Sequence, residues 1–88
     1  MMQNGGGGVS GPGVVTPGGT IVVEVRNGGT RVEVSEANGT AHPSVEVGPD
    51  KKARIPVPAN ILPGTVLFIT AGDPPFIDGI AVEVVSTV

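Results

Sequence analysis

From Thr20 onward, valine and isoleucine fall at every second position of short runs, and glycine, proline, asparagine or aspartate closes each run. Successive side chains of an extended strand point to opposite faces, so this spacing builds half-buried strands and no helical stripe. Valine and isoleucine together supply 22 residues against six alanines and two leucines. Their branched side chains lose rotamers in a helix and pack well on a pleated surface. With 88 residues the chain holds one small domain. Its 15 glycines and nine prolines suit turns, and a net charge of −3 is too small to keep so apolar a chain unfolded. The expectation is an all-β fold, a small antiparallel sandwich of about six or seven strands with a turn cluster roughly every ten residues.

Individual runs can be placed. Ile21, Val23 and Val25 alternate with Val22, Glu24 and Arg26, and Val32 and Val34 alternate with Arg31, Glu33 and Ser35. The intervening Asn27-Gly28 reads as a type I′ hairpin turn, a register that sets Glu24 opposite Arg31 and avoids two like-charge pairs. Ser44 to Val47 makes a short strand. Lys52 to Pro58 belongs at a sheet edge, because proline cannot donate to a ladder and the lysine and arginine repel stray pairing. Thr65 to Thr70 is apolar on both faces, as an innermost strand would be, and Ile80, Val82 and Val84 mark the last strand.

Residues 1–19 differ in kind: Gly5 to Gly8, Gly11-Pro12-Gly13 and Pro17-Gly18-Gly19 leave only Val9, Val14 and Val15 as branched apolar side chains. They are expected to form a Gly/Pro-rich extended arm preceding a sandwich domain at 20–88. Fully extended, such an arm reaches roughly 60 Å at about 3.3 Å per residue, far enough to touch a neighbouring protein. Gly6 to Gly11 matches G-x-G-x-x-G in letters, yet no strand enters it and no helix leaves it, so it lacks the amides that cradle a phosphate.

Several kinds of chemistry are disfavoured. Zero cysteines remove disulfides and thiolate metal sites. Eight acidic residues against five basic ones, with no Trp or Tyr, remove both the phosphate-neutralising surface and the stacking platform that nucleic acid needs. The longest clearly apolar run is Val66 to Ile69, so membrane insertion by a helix is not expected, and Met1-Met2-Gln3-Asn4 lacks the basic start of a standard export signal. His42, the single histidine, precedes Pro43 and reads as a solvated loop residue with no acidic partner. Asp73 reads as a turn initiator, Asp78 adds no calcium-loop pattern, and Glu24, Glu33, Glu46 and Glu83 occupy solvent-facing strand positions. Asn38-Gly39-Thr40 is a glycosylation triplet to which no glycan is assigned, and Lys51, Lys52 and Arg54 read as a solvated edge. No catalytic, metal or cofactor site is expected.

Residues 16–88 resemble the short immunoglobulin-like repeats of bacterial surface proteins and tailed-phage virion proteins. The likeness rests on Thr16-Pro17-Gly18-Gly19-Thr20 opening a Val-rich strand, Gly48-Pro49-Asp50 before a strand ending Ile55-Pro56-Val57-Pro58, and Pro63-Gly64-Thr65 before Val66-Leu67-Phe68. It implies an immunoglobulin-like sandwich, without the Cys, Trp and Tyr landmarks of antibody domains. The Lys-to-Asn crosslink of some such sandwiches is not expected, because Lys51 and Lys52 lie at a turn and a strand start and no acidic residue falls on an expected inward position. A core of valines without aromatics leaves little stability to spare, which favours partners or further copies of the chain. The expected function is a non-enzymatic capsid decoration or cement protein on a virion surface, bound to capsid subunits or forming a homo-oligomer. The alternative is a binding or spacer module of a bacterial cell-surface protein or carbohydrate-active enzyme. Val9, Val14, Val15, Val22, Phe76 and Ile77 are the expected partner-binding residues.

Overall fold

The valines and isoleucines that alternate in the sequence alternate in burial. The computed structural model describes residues 8–87, which form eight strands and no helix. Ile21, Val23 and Val25 of β3 (Thr20–Val25), Val32 and Val34 of β4 (Arg31–Glu36), and Ala53 and Ile55 of β6 (Lys52–Pro56) point inward. Leu67, Ile69 and Ala71 of β7 (Val66–Ala71) meet them, as do Ile80, Val82 and Val84 of β8 (Asp78–Val84). Val45 of β5 (Ala41–Glu46) packs at the margin of this core. No polar side chain is buried among the described residues, so the interior is aliphatic, and each buried valine, leucine or isoleucine contributes about 1.5–3 kcal/mol.

Two short strands complete the fold, β1 (Val9–Ser10) and β2 (Val14–Val15). One sheet runs β1-β3-β6 and the other β2-β8-β7-β4-β5. All neighbours are antiparallel except β2, which runs parallel to β8. This is a β-sandwich of one three-stranded and one five-stranded sheet. β7 is the central strand of the larger sheet and β6 an edge of the smaller one, both as the sequence implies. The amides of Val57 and Val25 bond Gly19 and Lys51 across the β3–β6 pair, so positions 51, 53, 55 and 57 direct their backbone groups at β3. Pro56 falls between them, and its missing N–H faces away from the sheet.

The structure corrects two expectations. Residues 20–25 and 31–36 are both strands, but they do not form a hairpin: β3 and β4 lie in opposite sheets. Inward alternation is the same whether two strands pair side by side or face one another across a core, so periodicity alone leaves the choice open. The Asn27-Gly28-Gly29 stretch is a crossing loop between sheets, with Gly28 in the left-handed region at φ 83°.

The arm does not extend to residue 19. Val9 pairs with Val25 and is fully buried, and Val14 and Val15 pair with Glu83 and Val84. Residues 8–19 therefore stitch the two sheets together along one side of the sandwich. The switch between sheets occurs at Gly11, where a Cβ would lie 2.9 Å from both Ile80 Cδ1 and Val23 Cγ1. Glycine lets the backbone pass close to the core at that point. Residues 1–7 of the expected arm lie outside the described residues.

Strand β5 begins earlier than its sequence suggests and takes in His42 and Pro43. Val32 pairs with Val45 but Val34 pairs with His42, so Pro43 and Ser44 together stand opposite Glu33. That is a β-bulge, one of the few places in a sheet that tolerates proline.

Candidate functional site

Four segments meet at one end of the sandwich: Gly8, the β3–β4 loop, the β5–β6 turn and the β7–β8 loop. Two side chains organise the contacts. Asp78, at the start of β8, accepts the backbone N–H groups of Gly8 at 3.0 Å and Val9 at 3.1 Å on one oxygen. Asn27 donates through Nδ2 to the carbonyls of Ala71 and Phe76, both at 2.9 Å, and accepts the N–H of Gly29 at 3.0 Å. Gly8 fits the notch between these two residues, where a Cβ would lie 3.0 Å from the Asn27 side chain and 3.2 Å from that of Asp78.

The β7–β8 loop is fixed from below while its side chains face solvent. Phe76 donates its N–H to Asp73 at 2.7 Å, closing a turn over a cis Pro74–Pro75 peptide, and its carbonyl is held by Asn27. Phe76 remains 71% exposed and Ile77 54%. Large apolar side chains on a tethered backbone lose little further entropy when a partner covers them. Beside Ile77, a groove of about 370 Å³ is lined by Thr30, Arg31, Glu33, Thr70 and Asp73 and by the glycines of both loops. Apolar projections next to a polar groove form a surface suited to protein contact.

The structure separates the six expected contact residues. Phe76 and Ile77 share this end. Val14 lies exposed in edge strand β2, Val22 lies on the outer face of the smaller sheet, and Val15 is half-buried against the core. Val9 is in the core and offers no surface. Its position beside the glycines suggested an arm, whereas its burial follows from the register with Val25. Asn27 reads in the sequence as a turn residue and Asp78 as a carboxylate without a calcium-loop pattern, and only the folded loops disclose their long-range partners.

His42 also departs from expectation. It lies on the inward side of β5, and Nε2 is 2.8 Å from Glu36 Oε2, with the two side chains 17% and 18% exposed. His42 also lines an apolar cleft of about 290 Å³ between edge strands β5 and β6, with Val34, Val45, Ile55, Val57 and Leu67. The hairpin loop at 37–40 brings Glu36 back to His42, a separation of six residues that neither helical nor alternating spacing flags. Among the described residues, no three His, Cys, Asp or Glu side chains gather as metal ligands. The pair satisfies itself and anchors the start of β5.

At the β5–β6 turn, Asp50 accepts Arg54 Nη2 at 3.1 Å and the N–H of Lys52 at 3.1 Å. The Arg54 hydrogen bond, followed by that of the Lys52 amide, holds the Asp50 carboxyl below its ordinary pKa. Glu24, Glu33, Glu46 and Glu83 are all exposed, as expected of outer strand positions. Comparison with known proteins finds no matching family model, no matching curated protein and no matching solved structure.

Proposed function

We propose that this chain is a non-enzymatic assembly protein that attaches to a larger protein structure through the end carrying Phe76 and Ile77. In its most concrete form it is a decoration or cement protein of a phage capsid. One observation supports this above the others: the chain enters the sandwich at Gly8, beside the tethered loop that exposes Phe76 and Ile77. Phe76 and Ile77 are thus presented to a partner at one place, next to the first described residue of the chain. Cosedimentation of the purified chain with candidate capsids tests it. Phe76→Asp with Ile77→Asp should weaken retention at least about tenfold, as loss of a central apolar anchor does. Unchanged retention would refute attachment through this end.

A second reading, a spacer or binding module of a bacterial surface protein, has its own support. The chain enters at Gly8, next to Asp78, and β8 carries it away to Val84, whose carbonyl accepts Gly64 at the opposite end. Entry and exit at opposite ends suit modules strung in a line. A native chain bearing further copies of this Val-rich pattern on either side would favour that reading over capsid attachment.

A further inference from the structure

The outer faces of the two sheets carry opposite charge around an apolar centre. On the smaller sheet, Val22 lies beside Arg54, Glu24 beside Lys52, and Ser10 beside Glu24. Arg26 reaches over this face to bond Ser10 Oγ at 2.8 Å and Glu24 Oε1 at 3.0 Å. Three cations therefore share this face with Glu24; Arg54 is also paired with Asp50 of the adjoining turn at 3.1 Å, and Lys51 adds a further cation there, so the face keeps a net positive charge. On the larger sheet, Phe68 is central, flanked by Ser35 and Ala81. Glu33, Glu46 and Glu83 surround it with Arg31 as the single cation. Val22 and Phe68 are each 42% exposed.

We infer that copies of this chain stack face to back, the larger sheet of one copy covering the smaller sheet of the next, with Phe68 against Val22 and Glu33 and Glu83 facing Lys52 and Arg54. Two like faces would instead bring like charges together, so a symmetric pair through either sheet is disfavoured. The molecule measures 36 × 30 × 25 Å, so a broad side is comparable with the roughly 800 Å² per partner of a standard interface. The contact is heterologous and leaves each stacked pair with one free face of either kind, so the association is open-ended. It uses neither the Phe76 end nor residues 1–7 and stands apart from the attachment proposed above.

Sedimentation of the whole chain over a range of concentrations tests this. At low ionic strength the mean mass should rise with concentration, and near 1 M salt, where the screening length falls to about 3 Å, it should return to that of a monomer. Lys52→Glu with Arg54→Glu should abolish association, as should Glu33→Lys with Glu83→Lys. All four positions are exposed, so the core is untouched; the first variant gives up the Arg54–Asp50 pair, and circular dichroism confirms that each variant is folded before association is read. Mixing the two variants restores opposite faces, and the mixture should associate again. A wild-type chain that stays monomeric at low salt would overturn the inference. So would association that survives either double variant, or a mixture that remains monomeric.

Discussion

The carboxylate of Asp78 accepts the N–H of Val9 at 3.1 Å across 69 positions of the chain. The same oxygen holds Gly8, so one side chain fixes the start of the described fold. Gly8 and Val9 are buried, and without that acceptor their amides have lost water and gained nothing. Asp78→Ala should therefore cost about 2–4 kcal/mol in urea unfolding and release β1 from β3. Loss of amide protection at Val9, with protection retained at Ile69, is the expected signature in hydrogen exchange.

Asn27 makes a comparable prediction for the exposed loop. Asn27→Ala removes two bonds to carbonyls and one from an amide, at a cost of about 1–3 kcal/mol. Gly72→Ala should be equally harmful, since its φ of 101° strains any residue with a Cβ and that Cβ would strike the Asn27 amide. Thermal denaturation of both variants, with NMR shifts in the loop at 72–77, measures the effect. Stability close to wild type in both would disprove the tether.

Asp50 gives the pH dependence its sign. Its carboxyl is depressed in the folded state by Arg54 and the Lys52 amide, so the stabilisation is present above the ordinary aspartate pKa and lost as pH falls through the lower folded value. Titration followed by carboxyl NMR should place Asp50 below its ordinary value. Arg54→Ala should move it back upward.

The His42–Glu36 pair predicts non-additive mutations. His42→Ala alone, or Glu36→Ala alone, strands a half-buried partner and should cost about 1–2 kcal/mol. Replacing both with leucine, the one at position 42 beside Val34 and Val45 in the apolar cleft, should recover most of that loss. A double-mutant cycle in denaturant reads the coupling directly.

These residues mark what sequence could and could not disclose. Strand positions followed from alternation, because inward branched side chains at spacing two have few other uses, and the edge placement of β6 followed from Pro56. Pairing was less legible. Ile21, Val23 and Val25 face inward whether β4 lies beside them or across from them, and Asn27-Gly28 serves a crossing loop as well as a hairpin turn. The glycines at 11 and 13 concealed two short strands, because a backbone that must slip past Val23 and Ile80 looks, letter by letter, like a flexible arm. The candidate site was half visible: Phe76 and Ile77 stood out as apolar residues in a proline-rich loop, whereas Asn27 and Asp78 act through partners 44 to 70 positions away.

Electron cryo-microscopy of this chain bound to a candidate capsid tests the proposed attachment most directly. The predicted image shows the sandwich standing on its partner with Phe76 and Ile77 buried at the contact and Leu62, exposed in the loop after β6, turned outward. An image with the Leu62 end seated on the partner, or with Phe76 free in solvent, would contradict it.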